Sequence, residues 1–184
     1  MTAPTTSELT GTYTLDPTHT RLGFVARHAM VTKVRGSFSD FTGTAVLDFD
    51  DPSRSTAEVI VQVASIDTRQ EQRDQHLRTN DFFDAPTFPE ITFRSTKVEK
   101  TGGDDFALTG DLTIKGVTKA VTIEFEHTGA ATDPYNNQRV GFEGTAVINR
   151  SDWGIAFNAA LETGGVLVSD KITLEFDISA IKNA

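Results

Sequence analysis

The sequence predicts an all-β protein, an eight-stranded antiparallel up-and-down β-barrel with one short helix between strands and a long lid-like loop. Three observations carry this. Apolar and polar residues alternate with period two along most of the chain. Short turn signals such as DPTHT, DDPS, TGGDD, KGVT and DPYNN separate the alternating runs. Two segments break the alternation, one with helical character and one rich in glycine. About eight strands, each with one apolar face, need a second sheet or closure on themselves, and closure removes exposed edges. Periodicity alone leaves a sandwich open, while the run of hairpins without a long crossover favours the meander barrel.

Taken in order, residues 1–10 carry no pattern and are expected to be a flexible N-terminal segment, followed by a single domain over 11–184. LGFVARH places Leu22, Phe24 and Ala26 on one face, with His28 following in the same phase. Between Gly36 and Phe49 the apolar phase slips from Phe38 to Phe41, Ala45, Leu47 and Phe49, and a one-residue bulge reconciles them. The next run favours Val59, Val61 and Val63. Four clean strands then follow, with inward phases Phe106–Leu108–Leu112–Ile114, Val121–Ile123–Phe125, Val140–Phe142–Ala146–Ile148 and Ile172–Leu174–Phe176–Ile178. His127 follows the second of these phases as His28 follows its own.

The first break spans residues 68–89. Thr68 and Glu71 read as a capping box that starts a helix at about 69–79. Only Leu77 in it is apolar, so it should lie on the surface, with Asp74 and Arg78 as an i,i+4 pair. Pro86 and Pro89 force an extended exit. The second break, residues 150–170, fits no single strand and has the length of a functional loop, with Trp153 and Phe157 as its apolar anchors.

The bulk numbers exclude several function classes. A length of 184 residues suits one domain with a real core. A net charge of −9 argues against a nucleic-acid or anionic-membrane partner, since both select a basic face. The absence of cysteine removes disulfides, thiolate metal sites and a cysteine nucleophile. The N-terminus lacks the basic and apolar regions of a signal peptide, and no apolar run is long enough to insert stably in a bilayer, so a cytoplasmic location is expected. Thirteen Phe against one Trp and two Tyr suit either a plain core or the wall of an apolar cavity.

Catalytic signatures such as G-x-S-x-G, H-E-x-x-H, Walker A and G-x-G-x-x-G are missing, and no cofactor is expected. His76 with Asp81 and Asp84 could form a metal set, but the simpler reading has Arg73, Arg78, Asp81 and Asp84 tying the helix to its loop, and no metal is expected there. His28 stands at a predicted barrel mouth, where it could meet a head group or hydrogen-bond to backbone. Small inward positions, Ala26, Gly110, Gly144 and Ala146, leave room for a small ligand unless large neighbours fill it.

Four ordered blocks then carry a family resemblance: YTLDPTHTRLGFVARHAMVTKVRGSFSDFTG, VASIDTRQEQRDQHLRTNDFFDAPTFPEITFRSTKVE, LTGDLTIKGVTKAVTIEFE and GFEGTAVINRSDWGI. In these the chain resembles the YceI-like family of lipocalin-like, polyisoprenoid-binding proteins. The resemblance implies an antiparallel barrel with an apolar tunnel open at one end. A polyisoprenoid, isoprenoid quinone or fatty-acid derivative would lie inside for transport, storage or sequestration, without catalysis. The implied lining is the inward phases above (Phe24, Leu112, Ile114, Ile123, Phe125, Phe142, Ala146, Ile148, Leu174, Phe176), with His28 at the mouth. Phe82 and Phe83 would plug or line the barrel, and Trp153 and Phe157 would gate it. Lys115 departs from the family's usual histidine in L-T-I-H-G-V-T-K. Two other readings stand beside this one: an enzyme acting on such a lipid with His28 as acid or base, and a filled barrel serving as a structural module. A homodimer is compatible with the resemblance.

Overall fold

The computed structural model describes residues 4–161 and 165–184. The elements in chain order are α1 (Thr6–Leu9), β1 (Gly11–Leu15), β2 (Arg21–His28), β3 (Thr32–Phe38), β4 (Phe41–Leu47), β5 (Thr56–Gln62), β6 (Ile66–Asp67), α2 (Glu71–Leu77), β7 (Glu90–Lys100), β8 (Asp105–Ile114), β9 (Val117–Thr132), β10 (Gln138–Asn149) and β11 (Lys171–Lys182). These eleven strands form eight staves. β1 and β2 pair with the same side of β11, Leu15 opposite Ala180 and Arg21 opposite Asp177, so they are one stave interrupted at residues 16–20. β3 and β4 pair back onto β2 and β1, and β5 and β6 onto β4 and β3, which makes two more broken staves. β7 to β11 follow as whole staves, each antiparallel to its neighbours, and β11 closes the ring on β1 and β2. The result is the closed eight-stranded antiparallel barrel that the run of hairpins favoured over a sandwich. No described helix is long and apolar enough to cross a membrane.

The slip between Phe38 and Phe41 falls at the break between β3 and β4, and both rings belong to the main core. Two apolar clusters fill the molecule. The larger occupies the middle of the barrel and its lid end, and includes Leu22, Phe41, Val61, Phe82, Ile123 and Trp153. The smaller, Leu9, Tyr13, Val140 and Ala180, packs at the opposite end. There the segment expected to be flexible contains α1, whose Thr5 and Glu8 form a reciprocal capping box. Leu9 is buried, and its carbonyl accepts from the fully buried Tyr13 hydroxyl at 2.6 Å. The signal was legible as T-x-x-E at Thr5–Glu8 and was passed over because so short a turn buries a single apolar residue.

The first break in the alternation is built differently from the sequence reading. Arg69 has φ 64°, so Thr68 cannot be the cap, and α2 starts after Gln70 with no side-chain cap. Asp74 is 4% exposed and accepts from the Thr68 amide and hydroxyl, so it is not an outward partner of Arg78. Arg78 instead donates to the carbonyls of Ala64 and Ile66 and faces Glu71 at 3.5 Å. A helix with one apolar residue is therefore held down by polar contacts. Arg73 completes the clamp through the Thr68 hydroxyl and carbonyl.

Candidate functional site

The barrel encloses a cavity of about 340 Å³ whose wall is almost wholly apolar. That volume lies near the lower end of the roughly 300–1,000 Å³ typical of ligand pockets. Of the residues expected to line it, Phe24, Phe82, Phe83, Leu112, Ile114, Ile123, Phe125, Phe142, Ile148, Trp153, Leu174 and Phe176 stand on the wall. The wall also includes Leu15, Phe38, Val59, Ile91, Phe93 and Ile155. Leu15, Ile91 and Phe93 were overlooked because β1 is short and β7 begins immediately after Pro89, where proline obscures the alternation.

Three expected residues lie elsewhere. Ala146 is buried but off the wall. Phe157 sits outside the wall, in a cluster with His76 and Phe82 at ring separations of 5.0 and 5.2 Å. His28 is exposed at the end of β2, off the wall, and its ring makes no side-chain hydrogen bond among the described residues.

Glycines shape the lumen. A Cβ at Gly36 would lie 2.3 Å from the Phe24 ring, one at Gly110 would lie 2.5 Å from Phe93, and one at Gly144 would lie 2.5 Å from Phe125. Each ring thus lies over a glycine on an adjacent strand, against the wall. The small inward positions therefore hold rings flat, which keeps the centre open.

Residues 150–161 and 165–170 lie across the lid end. A 3-10 turn, Arg150–Trp153, ends at Gly154 with φ 77°, a left-handed position that suits glycine. Glu162, Thr163 and Gly164 lie outside the described residues. Trp153 is buried and donates its indole N–H to the Leu112 carbonyl at 2.9 Å, which fixes it across the barrel end. Arg150 is 7% exposed and donates to the carbonyls of Ser169, Ile155 and Val168. One guanidinium thus ties both ends of the lid together on the cavity wall. Burial pulls its pKa below the usual arginine value, with Asp170 opposing the effect. The elbow after α2 meets this lid: His76 bonds Asp81 at 2.9 Å and stacks edge-on with Phe82 and Phe157. Lys115 donates to the Asn80 carbonyl at 2.9 Å and so fastens the β8–β9 turn to the same elbow.

At the other end, His127 lies between Phe49 and Phe142. Its Nε2 is buried without a partner among the described residues, and burial pushes its pKa below the ordinary imidazole value. Among the described residues no group of three histidines or acids could hold a metal ion.

The YceI-like domain family matches residues 13–180. The chain is 39% identical over 164 residues to a UPF0312 protein of Staphylococcus aureus, covering 89% of this chain and 93% of that one. Its fold is similar to that of BcnA from Burkholderia cenocepacia, with TM-score 0.79, 25% identity, and coverage of 90% and 98%. It is similar in fold also to a polyisoprenoid binding domain from Saccharophagus degradans, with TM-score 0.69, 15% identity, and coverage of 93% and 98%.

Proposed function

We propose, from the premise that this chain belongs to the YceI-like family, that its barrel binds one long-chain apolar amphiphile for transport, storage or sequestration. The observation that carries this reading is the continuous apolar wall around an open centre, with glycines holding its aromatic rings aside. The ligand's chain, a polyisoprenoid, isoprenoid quinone or fatty derivative, lies along the barrel axis, and the lid segment 150–170 closes over one end. Burial of the chain supplies about 25 cal/mol per Å² of apolar area, from which the ordering of ligand and lid is subtracted. A barrel of the same architecture in S. degradans is a polyisoprenoid binding domain, which supports the size and chemistry of such a guest. The exposed position of His28, off the wall, favours binding over turnover by that residue.

The test is mass spectrometry of an organic extract of the native protein beside a mock purification, together with uptake of a fluorescent prenyl or fatty probe. Wild-type protein is expected to carry, or take up, one amphiphile per chain, and folded Leu112→Glu to take up none. Equal uptake by folded Leu112→Glu and wild type would place the ligand outside the lumen.

A further inference from the structure

The β2–β3 hairpin at the lid end has features that cargo binding does not use. Its tip exposes two apolar side chains, Met30 at 63% and Val31 at 75%. Its backbone is strained to do so: Ala29 and Met30 have φ 50° and 63°, in a tight turn closed by the Val31 amide on the His28 carbonyl. Such consecutive left-handed positions favour glycine and asparagine; alanine and methionine there are unfavourable, and such strain marks functional positions.

The hairpin itself carries charge of one sign, while Asp152 and Asp170 stand on the lid segment beside it. Residues 17–39 contain no acid, although the whole chain carries −9. Arg27 and Lys33 face each other across the hairpin, Arg35 follows on the same strand, and none of the three has an acidic partner among the described residues. The negative charge is concentrated elsewhere. Glu124, Glu126, Glu143, Glu175 and Asp177 form a stripe on the outer face of β9–β11, with Glu143 opposite both Glu126 and Asp177. A cationic, apolar-tipped hairpin thus stands beside an acidic flank.

We propose that this hairpin tip docks the lid end of the barrel on an anionic lipid bilayer. Met30 and Val31 enter the interfacial layer, while Arg27, Lys33 and Arg35 lie at the level of the anionic head groups. The acidic flank is repelled by the same surface, so only one orientation is attractive. The contact is peripheral, as two apolar side chains and three cations make a reversible anchor. The tip is also joined to the lid. The Ala29 amide donates to the Leu167 carbonyl at 2.7 Å, His28 bridges Val168, and the Met30 sulfur rests where a side chain at Gly165 would be. Docking therefore bears directly on the segment that closes the cavity. This goes beyond the cargo reading and stands without it, because attachment to a vesicle needs no ligand in the lumen.

The experiment is co-sedimentation with two sets of vesicles, phosphatidylcholine alone and phosphatidylcholine with roughly one-third phosphatidylglycerol. Wild-type protein is expected to bind the anionic vesicles at least about tenfold more tightly, and to release in high salt. Lys33→Glu with Arg35→Glu should lose about tenfold or more, and Met30→Ser with Val31→Ser a similar factor. Tyr135→Ser, which removes an 85% exposed ring at the opposite end, should change nothing. All tip variants alter exposed side chains and should keep the wild-type melting temperature. They should also keep uptake of a probe supplied in detergent while losing uptake from anionic vesicles, which separates failure of docking from failure of cargo binding. No binding of wild type to anionic vesicles, or equal binding by the tip variants, overturns the proposal. So does a change in sedimentation coefficient on tip substitution without vesicle binding, which would assign the tip to self-association.

Discussion

The two ends of the barrel are closed by different physics. At the α1 end a core cluster is woven into the strands, beside half-buried wall residues Asp48, Pro52 and Ser55 of the β4–β5 turn. Tyr13 is wholly inaccessible, its hydroxyl is satisfied by Leu9, and Val140 and Ala180 pack beside it. An ion network surrounds that plug, with Arg139 bonding Asp16 and Asp133, each at 2.7 Å, and Asp16 also bonding His19. At the lid end, the cap is an irregular segment held by a few specific bonds: Arg150 to three carbonyls, Trp153 to Leu112, and Phe157 against His76 and Phe82. A plug woven into strands opens only when the barrel unfolds. A cap hung on side chains can open alone, because local opening breaks few buried contacts. We infer that the α1 end acts as the floor and the lid end as the door.

The largest expected effect tests the floor. Tyr13→Ala removes a fully buried ring and leaves the Leu9 carbonyl without its donor, and should lower global stability by about 3–5 kcal/mol, measured by urea unfolding. Arg150→Met tests the door. Losing three charge-assisted bonds is partly offset by relief of a buried cation, for a net loss of about 1–2 kcal/mol. Hydrogen exchange should accelerate across 150–170 and stay slow in β8–β10. If the whole barrel exchanged faster together, the lid would be part of the global fold and the comparison would fail.

Titration should weaken the floor first. Arg139 and His19 hold the Asp16 carboxyl well below the usual carboxylate range, so its stabilisation is full above about pH 4 and is lost as pH falls toward the lowered value. His127, also at that end, is kept neutral by burial. Its depressed pKa makes its contribution full above about pH 6.5 and lost as pH falls below that. Urea midpoints followed from pH 7 to 3 should therefore drop less steeply in Asp16→Asn and His127→Phe than in wild type. The smallest effect is that of Phe157→Ala, about 1 kcal/mol or less of stability for a half-buried ring, read more clearly as faster release of a bound probe.

Much of this was legible in sequence, and the reason differs between the ends and the middle. Period-two alternation places Leu112, Ile123, Phe142 and Leu174 inward because a strand admits only two faces. The open centre was less legible, since whether Gly110 and Gly144 make space or are covered depends on where Phe93 and Phe125 lie across the sheet. The elbow misled because Asp74 reads as an exposed helical acid until the left-handed Arg69 turns Thr68 back onto it. His28 follows an inward phase, yet strand β2 ends at that residue and the side chain faces solvent. Arg150 gave no sign of its role. Its partners are carbonyls up to nineteen positions away, and a carbonyl leaves no trace in side-chain pattern.

Trp153 offers the most direct measurement, because it is the chain's single tryptophan and stands on the cavity wall at the lid end. Its fluorescence would be titrated with a fatty or prenyl chain carrying bromine, which quenches on contact. If the lumen holds the ligand, quenching saturates at one chain per protein and is reversed by the unbrominated analogue. Stoichiometric binding that leaves Trp153 unquenched wherever the bromine is placed along the chain would contradict a ligand in the barrel.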